Sequence, residues 1–231
     1  MRFDPTLQDQ RHIMCVHCGG DTETRDHAAS KVLLDDPLPP DLPVVPACRT
    51  CNGSFSLDEE YLACLVECTV TGSTDPERVS REKVAKILRK HPSLAARIER
   101  ARTTTPNGAG FSVEIERVRN VIVKLARAHA QFALSEPQLE VPTAVSFSPI
   151  GLLQPAVREA FETVPPLSVY PEIGSRAFQD IIVGGGDVSS GECHTWVVLQ
   201  PGRYRYLVIF DPVVVVRIVL SEFLACEVQW A

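Results

Sequence analysis

The chain has 231 residues, 45% of them hydrophobic, and a formal net charge of −6, enough apolar material for a core that folds without help. No run of about 18 uncharged apolar residues is present, which excludes a membrane-spanning helix, and the opening MRFDPTLQDQRH lacks the apolar stretch of a signal peptide. The expectation is a cytoplasmic protein without membrane contact. Charge is uneven: residues 1–70 hold 5 Lys/Arg against 12 Asp/Glu, residues 71–135 hold 13 against 6, and residues 136–231 hold 5 against 11. A basic segment between two acidic ones can steer a polyanion even though the average is acidic.

Residues 1–70 read as a small loop-rich module. Gly19-Gly20 and the proline-rich DDPLPPDLP punctuate it, and the short strand-like PVVPA precedes a second pair of cysteines. Ser56 with Glu59 forms a capping-box pattern, followed by Leu57, Tyr61, Leu62, Leu65 and Val66 on one apolar helical face. Residues 71–140 form a basic helical segment. Its first helical region spans 76–102 with Val84, Ile87 and Leu88 as its stripe; Pro92 divides it and Ser93 can cap the second half. A second helical pattern runs from Ser112 to about Leu134 through Val118, Val121, Ile122, Leu125 and Phe132, with Arg117, Lys124 and Arg127 on the opposite side. Residues 141–231 turn to β-branched runs, TWVVLQ, YRYLVIF and VVVVRIVL, and read as a mostly antiparallel sheet of unknown role. In RYRY, Arg203 to Tyr206, a basic-aromatic stacking surface competes with an ordinary half-buried strand that puts both Arg on one face and both Tyr on the other.

Four of the eight cysteines form the pairs Cys15/Cys18 and Cys48/Cys51. In a reducing compartment such pairs favour metal over disulfide. Two thiolates from one turn reach a tetrahedral ion and a second turn closes the shell, so the zinc expected there is structural. A redox pair would need a single Cys-x-x-Cys beside a βαβ pattern. Cys64, Cys68, Cys193 and Cys226 sit in apolar surroundings and read as small buried side chains. His17, inside the first knuckle, reads as solvent-facing or as a neighbour of the ligands.

Asp26-His27 lies between the pairs and Asn52 follows the last cysteine. With Cys15, Cys18, DLPVVPA, Cys48 and Cys51, this order resembles the HNH endonuclease family in its zinc-stapled form, over about residues 11–67. The fold the resemblance implies is α+β: a ββα-metal HNH module stapled by a four-cysteine zinc, then the helical segment and the β-rich C-terminal unit. The activity it implies is metal-dependent hydrolysis of DNA, with His27 as general base, Asp26 and Asn52 holding one Mg²⁺, and products bearing 5′ phosphate and 3′ hydroxyl. An imidazole suits proton abstraction near pH 7, and a hard cation suits oxygen ligands. Asn52 has a second reading as a helix cap. The family's middle Asn corresponds to Asp41, which can accept but not donate the hydrogen bonds of a structural brace; Ser30 and Phe55 are further departures. The DNA-contact candidates are Arg81, Lys86, Arg89, Lys90, Arg117, Lys124 and Arg127, against the alternative of solvated helix faces. Two other readings are an inactive zinc-stabilised nucleic-acid-binding protein and a nuclease effector subunit controlled by a protein partner or a second copy through residues 141–231. Phage defence is the setting suggested by the resemblance.

Overall fold

The first cysteine pair sits on a tight knuckle. The Cys15 amide donates to the Gly20 carbonyl (2.7 Å) and the Gly19 amide to the Cys15 carbonyl (2.8 Å), a closure that needs Gly19 at φ +73°, where a side chain is disfavoured. The computed structural model describes residues 14–105, 108–166, 169–184 and 195–231. Cys193 therefore lies outside the described residues. After the knuckle, β1 (Thr24–His27) pairs antiparallel with β2 (Val44–Ala47), setting Asp26 opposite Val45 and His27 opposite Val44. Helix α1 (Arg49–Ser54) follows at once, and the Cys48 sulfur accepts the Cys51 amide at its start (3.3 Å).

Helix α2 (Ser56–Thr71) begins without the capping box expected from its sequence. Because α1 ends only at Ser54, Ser56 is already helical, and its hydroxyl donates back to the Gly53 carbonyl (3.3 Å). Glu59 is thereby released to turn elsewhere. Leu57, expected on the apolar face, is 71% exposed, whereas Tyr61, Leu62, Leu65 and Val66 are buried. The basic segment holds α3 (Glu82–Lys90) and α4 (Pro92–Arg100). Pro92 opens α4, where its missing N–H has no partner to lose. Residues 76–81 are not helical, and the Asp75 carboxylate accepts the Glu77 amide in a local turn that competes with helix. A short hairpin of β3 (Arg102–Thr105) and β4 (Gly108–Phe111), absent from the sequence expectation although Asn107-Gly108 after a threonine run is a hairpin signal, leads to the long helix α5 (Ile115–Leu134).

The C-terminal part is a five-stranded antiparallel sheet in the order β5-β9-β8-β7-β6, from β5 (Ala144–Pro149), β6 (Val197–Gln200), β7 (Tyr204–Ile209), β8 (Val214–Leu220) and β9 (Leu224–Trp230). Helices α6 (Pro155–Glu162) and α7 (Arg176–Gly184) stand between β5 and β6 in the chain. The architecture is thus mixed helix and sheet. RYRY follows the strand alternation: Tyr204 and Tyr206 are buried, while Arg203 pairs with Asp35 and Arg205 with Glu162 and Glu222. One apolar cluster joins Leu62, Ile122 and Leu125 of the helices to Tyr204, Val216 and Ile218 of the sheet, and a smaller one joins Ala128 of α5 to Val16, Ala28 and Val45. Helix α5 therefore has no wide solvent face. Its Lys124/Arg127 side, expected to face water, looks onto the N-terminal module. No helix among the described residues is long and apolar enough to cross a membrane.

Candidate metal centre and the adjoining cleft

The sulfurs of Cys15, Cys18, Cys48 and Cys51 lie within 4.8 Å of one another. Zinc–sulfur bonds of about 2.3 Å in a tetrahedron put neighbouring sulfurs about 3.8 Å apart, and Cys18 and Cys48 are separated by 3.8 Å. The four residues could hold a metal ion such as zinc, as their spacing implied. The four thiols are electrostatically uneven. Burial opposes ionisation of Cys15, but backbone hydrogen bonds at Cys48, His17 and Cys18 bring its thiol below the ordinary value. Cys51 is pushed up, first by burial and then by the neighbouring Cys48 and Cys18 thiols. A divalent cation removes that conflict by stabilising all four thiolates together.

Beside this centre is a cleft of about 250 Å³ lined by Asp26, His27, Ser30, Lys31, Val32, Ser56, Glu59, Glu60 and Lys124. Adjacent positions on β1 point to opposite faces, so Asp26 is 6% exposed while His27 stays half-buried at the cleft wall. Asp26 Oδ2 accepts from His17 Nε2 at 3.0 Å, and Oδ1 accepts from Lys124 Nζ at 3.0 Å. Burial alone would raise this carboxyl; the His17 hydrogen bond and the Lys124 charge outweigh it and hold Asp26 below the usual carboxylate range. His27 moves down from its ordinary value, through burial first and then through Lys31, against the opposing pull of Asp26. Its ring is neutral near pH 7 and can accept a proton.

Asp26 and Asn52 do not fit a magnesium site in this arrangement. Both Asp26 oxygens are already bonded, and the Asn52 amide donates to Thr24 Oγ1 (3.1 Å) and toward the Arg25 carbonyl (3.4 Å), tying α1 to β1. Asn52 does not line the cleft, and it does not cap α2. Asp41 is exposed and makes no side-chain hydrogen bond among the described residues; the Ala28 amide, donating to the Pro43 carbonyl (2.9 Å), braces the loop instead.

The basic candidates divide sharply. Arg81 is 4% exposed, with its Nε on Asp35 at 2.6 Å, and the Lys124 side chain is 2% exposed, so neither meets the surface a polyanion would approach. Arg117 is spent on Asp58 and the Leu57 carbonyl, and Arg127 on the carbonyls of His17, Leu139 and Glu140. Lys86, Arg89 and Lys90 are exposed; Lys86 and Arg89 carry surface ion pairs with Glu82 and Glu77 that contribute little. Lys90 has no ion-pair partner among the described residues.

The sequence reading left His17 as solvent-facing or a neighbour of the ligands and kept Glu59 to the start of its helix, while Lys31 and the buried role of Lys124 were missed. His17 is enclosed rather than solvent-facing, packing edge-on against Phe55 at 5.0 Å. The one legible hint was that Lys124 falls on the same helical face as Val121 and Ala128, at i+3 and i+7, where a solvated lysine is out of place. Comparison of the chain with protein-family models, with curated proteins and with solved structures finds no match.

Proposed function

We propose that the chain is an HNH-type endonuclease that hydrolyses phosphodiester bonds of DNA, with His27 as general base and a zinc ion on Cys15, Cys18, Cys48 and Cys51 holding the module together. The observation that carries this reading is the half-buried His27 ring on a strand whose antiparallel partner runs into the second cysteine pair, the ring lining an open cleft. In the reaction His27 takes a proton from water, the resulting hydroxide bonds to phosphorus, and the 3′ oxygen departs and is protonated by solvent. Lys31, exposed at the cleft, supplies positive charge toward the phosphate oxygens. No step is assigned to magnesium, because the Asp26 oxygens are engaged by His17 and Lys124.

Purified protein should nick or linearise plasmid DNA, and His27→Ala should lose about 100- to 10,000-fold in rate while keeping its zinc and its fold. Equal cleavage by both proteins would remove His27 from the mechanism. A second reading is a zinc-stabilised nucleic-acid-binding protein that does not cleave, favoured by the engagement of both Asp26 oxygens. Salt-sensitive DNA binding without strand breakage selects it.

A further inference from the structure

Lys124 Nζ sits in a cage of oxygens. Asp26 Oδ1 and Oδ2 are each 3.0 Å away, Glu59 Oε1 3.0 Å, the His27 carbonyl 3.2 Å and Ser30 Oγ 3.2 Å. An ammonium has three N–H groups, fewer than the oxygens around it, so the cage is organised around a positive charge rather than around individual hydrogen bonds. Two carboxylates, a backbone carbonyl and a hydroxyl form the donor set that a hard divalent cation takes, at metal–oxygen distances about 0.4–1.2 Å shorter than these contacts, the largest difference being for a Mg²⁺-sized ion. The cage is assembled from distant parts of the chain: β1, the turn after it, α2 and α5. It is also fixed from outside, because His17 holds the second oxygen of Asp26 and Ser30 donates to Glu59.

We infer that the resident cation of this site is the Lys124 ammonium: the chain fills with its own charge the position beside Asp26 that a divalent ion would take, and the cleft next to His27 operates without a metal on Asp26. The statement about the cleft's operation rests on the nuclease reading; the occupancy of the cage does not. Lys124 is buried and acts through Asp26 and Glu59, as a positioning residue that keeps two carboxylates together beside the His27 ring. Removing the ammonium while keeping the length of the side chain should therefore uncover a latent divalent-cation site.

The test titrates Mn²⁺ into the zinc-loaded full chain and follows paramagnetic broadening of the His17 and His27 ring signals. The wild-type rings should keep their linewidths at a several-fold excess of Mn²⁺. Lys124→Met should bind one Mn²⁺ at least about tenfold more tightly than wild type and broaden both rings, and adding Asp26→Asn should abolish that broadening. Broadening in wild type that Asp26→Asn removes would overturn the inference, as would a folded, zinc-retaining Lys124→Met protein whose rings ignore Mn²⁺. If Lys124→Met does not fold, the wild-type titration decides by itself: unbroadened rings uphold the inference and Asp26-dependent broadening sinks it. Failure of plasmid cleavage leaves this result standing, since the readout is cation binding.

Discussion

The buried charges around Lys124 predict a specific coupling. Lys124→Met leaves Asp26 and Glu59 facing each other without their shared cation, which is 3.0 Å from each; removing one partner of a buried ion pair costs about 3–5 kcal/mol. Asp26→Asn is milder, because Glu59 still neutralises Lys124 and the Asn oxygen can still accept, so the loss is that of a charged hydrogen bond, about 1.5–3 kcal/mol. In the double variant neither the orphaned carboxylate at position 26 nor the ammonium remains. Its destabilisation should fall short of the sum of the single effects by about 1–3 kcal/mol. Urea unfolding at pH 7.5 with zinc present, followed through Trp196 and Trp230, measures all four corners of the cycle. Additivity within about 0.5 kcal/mol would refute the shared ion-pair network.

Zinc content should be one per chain, and Cys48→Ser should lose it and expose the N-terminal module to proteolysis; a variant that keeps zinc and stays resistant would contradict the four-sulfur centre. His129 is fully buried, with Nε2 on the Tyr204 hydroxyl (2.7 Å), and burial lowers its pKa from 6.5 to about 3. The folded state therefore refuses a proton that the unfolded chain accepts, so stability is complete above the unfolded value and is lost progressively as pH falls from 6.5 toward the folded one. Between pH 7.5 and 5.5 wild type should lose about 1.4 kcal/mol relative to His129→Gln, read from urea midpoints, and parallel curves would count against a neutral buried ring. Replacing Lys86 and Lys90 with Ala should lower the slope of log binding constant against log salt for DNA by up to about 2. Arg81→Met should instead act on stability, by removing one of the two arginines, Arg81 and Arg203, that hold Asp35. A salt slope that responds to Arg81 and not to the exposed pair would reverse this assignment.

Much of the local chemistry was legible in the sequence because it is local. A two-residue gap dictates that Cys15 and Cys18 leave one turn together, β-branched runs dictate strands at 197–200, 204–209 and 214–220, and the alternation in RYRY buries both tyrosines. Pro92 divided two helices for the reason it always does, a missing donor. Where neighbouring elements compete, the sequence spoke less clearly: the capping box at Ser56 failed because α1 runs almost into α2, and the helix expected from residue 76 starts at Glu82 behind an Asp75 turn. The candidate site divides along the same line. That Asp26 and His27 occupy opposite faces of a strand follows from adjacency, but that Asp26 is held by a lysine 98 residues away has no local signature. Only the packing of α5 against both the sheet and the four-cysteine module decided it, since that packing turned the Lys124 side inward, where a charge persists only with carboxylates around it.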